Sequence, residues 1–250
     1  MIRRLLLGFL LALLAVGALI GAEVFAAVHR EYDPTEPAMR IGGTFGSGSG
    51  APLRFVVLGD STAAGVGAGD PAHTYPVLVA ERLAADGGRS VTLIDLGVSG
   101  ARVHDVLVDQ VPKAEAANPD VVFVGIGAND VTHLTSLSGV RADMEAIVAR
   151  LEATGAMVVV AGPPDMRAAA FPEPLRTLSG WRGNQVRAQI EAAARQSGVA
   201  VVPLAVRTGN LFAEDPDRYY SPDRFHPGPQ GYRAWADAIT PVVERVALHA

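Results

Sequence analysis

From residue 54 onward, short apolar runs rich in β-branched residues alternate with longer stretches in which apolar residues recur at helical spacing. Five runs have the length and composition of buried strands: residues 54–58, 91–96, 121–126, 157–161 and 199–203. Five stretches have the spacing of amphipathic helices: residues 75–85, 103–111, 140–154, 184–197 and 229–248. The alternation predicts an α/β fold, a three-layer α/β/α sandwich with a central, mostly parallel five-stranded sheet.

The N-terminus is far more apolar than the rest of the chain. Arg3 and Arg4 precede 18 uninterrupted apolar or small residues, 5–22, which as a helix span about 27 Å, close to the thickness of a bilayer core. The two arginines predict a cytoplasmic N-terminus and export of everything after the helix. The stretch exceeds the usual signal-peptide core of about 7–15 residues, which favours a membrane anchor over a cleaved signal or a buried soluble helix.

Residues 31–52 separate this segment from the first strand. They contain Pro34, Pro37 and a Gly/Ser run at 46–50, and they show no apolar periodicity, a composition typical of a flexible linker. The predicted organisation is therefore a membrane anchor or signal peptide over 1–30, a flexible linker over 31–52 and a single globular domain over 53–250.

Two features of the composition exclude whole classes of function. The chain has no cysteine, which excludes disulfides, thiolate metal sites and a cysteine nucleophile. The net charge is −5 and no basic run is present, so no electrostatic footprint for nucleic acid exists.

Glycines and polar residues follow each of the first three predicted strands. Ser61 lies in the loop 59–65, Gly100 in the loop 97–101 and Asn129 in the loop 125–130. Each alone also fits an ordinary turn or a helix cap. Because ligands bind at the carboxyl ends of the strands in such sheets, we expect these three residues to lie near one another.

A fourth motif lies close to the C-terminus. Asp223 and His226 are three residues apart and are followed by Pro227 and Gly228, so a carboxylate and an imidazole can share one face of a turn. A surface Asp–His pair that caps the last helix is the alternative interpretation.

Together the four motifs resemble the four sequence blocks of the SGNH hydrolase superfamily, which includes the GDSL esterases and lipases. The matching residues, in chain order, are Gly59-Asp60-Ser61, Gly100, Gly127-x-Asn129-Asp130 and Asp223-x-x-His226-Pro227. The resemblance extends over about residues 54–240. The sequence departs from the pattern at Thr62, where the GDSL name has leucine, and at Asp95, where relatives often have asparagine.

The resemblance implies a flavodoxin-like SGNH hydrolase fold and a role for each matching residue. Ser61 is implied as the nucleophile, His226 as its general base and Asp223 as the carboxylate that orients the imidazole. The backbone N–H groups of Ser61 and Gly100 and the side-chain amide of Asn129 are implied as the oxyanion hole. No metal and no organic cofactor is expected.

The predicted function is hydrolysis of carboxylic esters, as lipid or cell-envelope acyl or acetyl esters, through an acyl-enzyme. An O-acyl- or acetyltransferase that uses the same residues on a carbohydrate hydroxyl is the alternative. A dinucleotide-dependent oxidoreductase is disfavoured because the loop after the first strand lacks the Gly-x-Gly-x-x-Gly spacing, and a non-catalytic binding domain is disfavoured by the complete triad.

The expected partners are a small acyl ester and, through the N-terminal segment, a membrane. Two longer connections, residues 163–183 and 208–222, carry aromatic and aliphatic side chains. Loops at this edge of the sheet can line an acyl pocket or act as a lid. The alternative interpretation is that their apolar side chains only pack the loops against the domain.

Overall fold

The computed structural model describes residues 2–36 and 38–248, so Pro37 of the predicted linker lies outside the described residues. A single sheet of six strands runs through the domain. The strands are β1 Gly42–Phe45, β2 Gly50–Gly59, β3 Arg89–Asp95, β4 Val121–Gly125, β5 Met157–Ala161 and β6 Ala200–Val201. Their order in the sheet is β1-β3-β2-β4-β5-β6. All neighbouring strands pair in parallel except β1, which is antiparallel to β3 at the edge.

Helices connect the strands and follow the last one. Their bounds are α1 Ile2–Val28, α2 Tyr75–Gly87, α3 Val103–Asp105, α4 Val111–Ala116, α5 Ala128–Thr132, α6 Leu137–Glu152, α7 Leu175–Gln196, α8 Leu204–Glu214, α9 Pro216–Tyr219 and α10 Pro229–Leu248. A 3₁₀ turn covers Pro71–His73, and a π-helical turn, Val106–Gln110, joins α3 to α4.

The sheet separates two apolar cores. Successive side chains of a strand point to opposite faces, and in β2 Phe55 and Val57 join one core while Val56 and Leu58 join the other. The first core is closed mainly by α2 and α10, and the second by the helical segments after β3 together with α6 and α7. This is the predicted three-layer α/β/α sandwich, and the fold class is confirmed.

The predicted number of strands is wrong by one, because the sixth strand comes from the predicted linker. Gly42–Phe45 pair with Val91–Ile94 of β3, and β2 begins at Gly50, four residues before the predicted start of the first strand. Four residues with two glycines carry no strand periodicity of their own. Backbone hydrogen bonds to a neighbouring strand decide their conformation.

The helix before β6 begins nine residues earlier than the sequence predicts. Residues 175–183, which were predicted to belong to a loop of 163–183, form the first turns of α7. The connection after β5 is therefore shorter than predicted, and α7 starts at the sheet edge where the site is expected. Leu178 and Trp181, in these first turns, are exposed.

α1 stands apart from both cores. It is the one helix in the described part of the chain that is long and apolar enough to cross a membrane, with a mean hydropathy of 2.7 over its most apolar window. Its side chains are exposed except near its C-terminal end, where Glu23 is buried. That end of the helix lies against α7 of the domain.

Candidate active site

Ser61 lies in a tight turn directly after β2. The turn is closed by the N–H of Ala64, which donates to the carbonyl of Asp60 (3.0 Å), and by the N–H of Val66, which donates to the carbonyl of Ser61 itself (2.9 Å). Asp60 is buried, and its carboxylate accepts the N–H (3.0 Å) and the hydroxyl (2.9 Å) of Thr62. These bonds fix the backbone on both sides of the serine.

The strand end before Ser61 requires a glycine. A Cβ on Gly59 would lie 2.5 Å from the carbonyl oxygen of Gly125, the last residue of the neighbouring strand β4. Any side chain would therefore push the two strands apart at the sheet edge. The close approach brings the turns that follow β2 and β4 together, and these turns carry Ser61 and Asn129.

Asp223 and His226 lie in a second tight turn, between α9 and α10. The N–H of Ser221 donates to the carbonyl of His226 (2.9 Å), and the N–H of Arg224 donates to the carbonyl of Ser221 (2.9 Å). Gly67, which follows Ser61 in the first turn, has φ of +87°, and a Cβ there would lie 2.6 Å from the carbonyl oxygen of Pro227. The absence of a side chain at Gly67 lets the two turns touch.

The side chains of Ser61, His226 and Asp223 form one continuous chain of hydrogen bonds. His226 Nε2 lies 3.0 Å from Ser61 Oγ, and His226 Nδ1 lies 2.6 Å from Asp223 Oδ2. Asp223 and His226 are both buried. The structure thus brings together Ser61 and His226, which are 165 positions apart in the sequence. The hydroxyl, the imidazole and the carboxylate follow one another along the chain of hydrogen bonds.

The Asp223 carboxylate is held in its ionised form. Burial by itself raises the pKa of this carboxyl. Hydrogen bonds from the His226 ring and from backbone N–H groups lower it by a larger amount, so its pKa lies well below the usual range. Its Oδ1 accepts the N–H groups of Phe225 (2.7 Å) and His226 (2.8 Å) and the hydroxyl of Ser221 (2.8 Å). A permanently charged acceptor stabilises the protonated form of the imidazole.

Asp33, Asp223 and His226 place potential metal-ligand atoms within 4.8 Å of one another. Both oxygens of Asp223 already accept several N–H or O–H groups, and one of these donors is the His226 ring. Hydrogen bonding therefore accounts for Asp223 and His226, whereas Asp33 Oδ2 is buried without a hydrogen-bond partner among the described residues.

The turn after β3 contains Gly100, and Asn129 connects this turn to the end of β4. The Asn129 side-chain amide donates to the carbonyl oxygen of Ala101, the residue after Gly100, at 3.0 Å. A side-chain amide has two N–H bonds, so this contact leaves a second one. Asn129 lines the same cleft as Ser61 and His226, whereas Gly100 lies in the adjoining turn and does not line it.

Two acidic residues beside these turns have perturbed acidity. Burial raises the pKa of the Asp60 carboxyl, although its hydrogen bonds to Thr62 oppose the shift. Burial also raises the pKa of Asp95, at the end of β3, to about 7, and its Oδ1 accepts the N–H of Gly97 at 3.3 Å. Asp95, the residue at which the sequence departs from the SGNH pattern, therefore stabilises the turn after β3 through this hydrogen bond.

A mostly apolar cleft opens beside Ser61 and His226. The apolar side chains that line it come from the connection after β5, from α8, from the histidine turn with the residue before it, and from α10. They include Met166, Phe212, Tyr220, Phe225 and Trp235. Both long connections of the sequence prediction contribute, through Met166 and through Phe212 and Tyr220. Phe171 lies behind this wall with its ring centroid 5.7 Å from that of Phe225, whereas Leu178 and Trp181 do not line the cleft.

Two contributors to the site are missing from the sequence prediction. Gln110 is buried and bonds to the backbone of Gly59, just before the serine turn. A signal for it exists, because Val103, Val106 and Gln110 share one face of the predicted helix and a polar residue there needs a partner. The second contributor is the backbone of Asp33, which contacts Asp223 across 190 residues and leaves no local sequence signal.

Comparison with known proteins identifies the family of the chain. The GDSL-like Lipase/Acylhydrolase family model matches residues 57–234. The GDSL-like esterase Rv1075c of Mycobacterium tuberculosis is 33% identical over 190 residues, which cover 75% of this chain and 60% of that protein. The chain thus spans less than two thirds of the length of this relative.

Solved structures show the same fold. LAE5, an α/β hydrolase enzyme from the metagenome of Lake Arreo, superposes with a TM-score of 0.64 at 20% identity, over 78% of this chain and 96% of that one. The lipase/acylhydrolase from Enterococcus faecalis superposes with a TM-score of 0.62 at 22% identity, over 76% and 94%. With the family model covering most of the chain, the protein belongs to the GDSL-like lipase/acylhydrolase family.

Proposed function

We propose that the protein is a serine hydrolase that cleaves carboxylic esters through an acyl-enzyme, with Ser61, His226 and Asp223 as its catalytic triad. The observation that carries this proposal is the hydrogen-bonded chain from the Asp223 carboxylate through the imidazole to the Ser61 hydroxyl. A serine hydroxyl is a weak nucleophile, and this arrangement is the one that activates it. Membership of an acylhydrolase family supports the same chemistry.

In the acylation step, Ser61 Oγ bonds to the ester carbonyl carbon while its proton passes to His226 Nε2. Asp223 accepts the Nδ1–H, which keeps Nε2 free to act as the base and stabilises the imidazolium. The carbonyl oxygen becomes an oxyanion. When the tetrahedral intermediate collapses, the ester C–O bond breaks and the departing alkoxide takes the proton from His226.

In the deacylation step, water gives a proton to His226 Nε2 and adds to the acyl carbon. Collapse of the second intermediate breaks the bond to Ser61, which recovers the proton, and releases the carboxylic acid. An alcohol in place of water would complete a transfer of the acyl group instead.

The backbone N–H groups of Ser61 and Gly100 and the amide of Asn129 are the proposed oxyanion hole. The contact between Asn129 and Ala101 supports this role because it fixes the amide beside the turn that carries Gly100. Preorganised donors of this kind typically lower the barrier by about 2.7–4 kcal/mol each.

Lipid or cell-envelope acyl esters are the proposed substrates. The apolar wall of the cleft favours an acyl chain. The apolar helix α1 favours export with the domain held at the outer face of a membrane, with secretion after cleavage of α1 as the alternative.

The deciding experiment compares Ser61→Ala with Ser138→Ala in the full chain, purified in detergent. Ser138 is an exposed serine of α6, so the control makes the same chemical change outside the cleft. We expect Ser61→Ala to lose hydrolysis of a short p-nitrophenyl ester and labelling by a fluorophosphonate, with an unchanged melting temperature. Ser138→Ala should behave as the parent protein.

A fully active Ser61→Ala protein would overturn the proposal.

A series of ester substrates with acyl chains from acetyl to palmitoyl then defines which acyl group the enzyme prefers. Product analysis with an added carbohydrate alcohol separates hydrolysis from transfer, because a transferase would yield the acylated alcohol in place of the free acid.

A further inference from the structure

The residues just after the membrane-type helix lie against the histidine turn. The backbone N–H of Asp33 donates to Asp223 Oδ2 at 3.1 Å. The same oxygen accepts His226 Nδ1 at 2.6 Å. A backbone donor from outside the sandwich thus bonds to the carboxylate oxygen that orients the imidazole.

Tyr32, the preceding residue, contacts the same turn through its ring. Its ring meets the ring of Phe225 edge-on with centroids 5.4 Å apart, and it meets the ring of His226 in the same way at 6.4 Å. Phe225 in turn lines the cleft. Tyr32 therefore restricts the imidazole and one wall of the cleft together.

The segment that carries Tyr32 and Asp33 is fixed on its N-terminal side. Glu23 of α1 is buried, and its carboxylate accepts the N–H of Leu175, the first residue of α7, at 3.0 Å. The Tyr32 hydroxyl donates to the carbonyl of Ala27, also in α1, at 2.9 Å. The last turns of α1 are thereby joined both to the domain and to Tyr32.

The segment is fixed on its C-terminal side as well. Ile41 and Met39 pack against Gly65 in the serine turn, where a Cβ on that glycine would lie 2.9 Å from Ile41 Cδ1 and 3.2 Å from Met39 Sδ. The next residues, Gly42–Phe45, pair with β3. A segment with contacts at both ends keeps the Asp33 N–H in place with little further loss of entropy.

From these contacts we infer that Tyr32 and the backbone of Asp33 are positioning residues for the catalytic dyad of Asp223 and His226. The inference rests on the proposed function, since it assigns to this segment a role in that same triad. It also makes the end of α1 part of the active-site support, because only a few residues separate Val28, the last residue of α1, from Asp33. Residues 31–36 and 38–45 then act as a structural part of the enzyme and not as a spacer.

Two pairs of variants in the full chain, in detergent, test the inference. Asp33→Pro removes the N–H together with the side chain, whereas Asp33→Ala removes only the side chain. Tyr32→Ala removes the ring, whereas Tyr32→Phe keeps it and loses only the hydroxyl. In each pair the second variant is the control for the first.

We expect kcat of Asp33→Pro to be about tenfold below that of Asp33→Ala, because hydrogen bonds to ionised groups are strong and small misplacements of catalytic groups are costly. We expect KM for a short acetyl ester to agree within about twofold between the two, since the N–H does not contact substrate. Tyr32→Ala should show a similar loss of kcat, and Tyr32→Phe should recover most of it, because the ring contacts with Phe225 and His226 remain while the bond to Ala27 is lost. The rate of fluorophosphonate labelling should fall in parallel, measured at a temperature where circular dichroism shows every variant to be folded.

Equal kcat values and labelling rates within a pair would remove that residue from the positioning role. A loss that appears only in KM would overturn it in the same way. Ser61→Ala in the same assay separates the two proposals. If Ser61→Ala is inactive and the pairs are equal, only the present inference fails, whereas an active Ser61→Ala protein removes the proposed function itself.

Discussion

The side-chain amide of Gln110 bonds to both backbone polar groups of Gly59, accepting its N–H at 2.9 Å and donating to its carbonyl at 2.8 Å. Gln110 is 1% exposed and belongs to the π-helical turn. Gln110 thus supplies the acceptor for the Gly59 N–H beyond the end of the ladder with β3, and it shares the Gly59 carbonyl with the N–H of Val98 at 3.1 Å. Ser61 follows two residues later, so the bond also fixes the start of its turn.

Replacing Gln110 with leucine should destabilise the protein and lower its activity. Leucine has a similar size but leaves the Gly59 N–H buried without a partner, whereas the Gly59 carbonyl keeps the N–H of Val98 at 3.1 Å. One unsatisfied buried donor costs about 1–3 kcal/mol in the free energy of unfolding. Chemical denaturation of the two proteins measures the difference. Gln230→Leu, at an exposed position of α10, is the control, and equal loss in both variants would contradict the prediction.

Asn129→Ala should lower kcat by about 10²–10³-fold, the usual effect of removing one oxyanion donor. The reason is that the proposed donor is lost while the nucleophile and base stay in place. Steady-state kinetics on a short ester measure the effect, with Asn184→Ala in the exposed part of α7 as the matched control. An Asn129→Ala rate equal to that of the control would take Asn129 out of the oxyanion hole.

Asp223→Asn should lower kcat by about 10²–10⁴-fold with the fold intact. An amide cannot stabilise the imidazolium, and its N–H₂ group favours the wrong tautomer of the histidine. Asp143→Asn is the control because Asp143 Oδ2 also faces an imidazole, that of His104 at 3.2 Å, on the exposed surface. Similar activities of the two variants would show that Asp223 has no special role.

Asp95→Asn should stabilise the protein at neutral and alkaline pH but not in acid. Burial raises the pKa of Asp95 to about 7, so the folded state retains a proton that the unfolded chain releases near pH ~4. The contribution of this group to stability is therefore present below pH ~4 and is lost as the pH rises through ~7. Asparagine stays neutral throughout, which removes this loss.

The expected difference is a rise in melting temperature of about 2–4 °C or more at pH ~8, which disappears at pH ~4. Thermal unfolding at the two pH values measures it. Asp109→Asn, at an exposed carboxyl, serves as the control. A rise of equal size at both pH values would mean that the ionisation of Asp95 is not its cause.

The sequence by itself determines the layers of the fold and the residue types of the site. Strands such as Val121–Gly125 and Met157–Ala161 are apolar on both faces, so they can only be central strands of a covered sheet. Ser61 and Asn129 follow such strands, and Asp223 and His226 share one turn. Local spacing predicts these placements, whereas the roles of the four residues follow only from the resemblance to the SGNH hydrolases.

The tertiary structure decides what depends on contacts between distant segments. Gly42–Phe45 form a strand because β3 offers them backbone hydrogen bonds, and their own sequence gives no sign of it. The meeting of Ser61 with His226 depends on the close approach of their two turns at Gly67. The contact of Asp33 with Asp223 depends on how the chain leaves α1, and an N–H that every non-proline residue carries leaves no mark in the sequence.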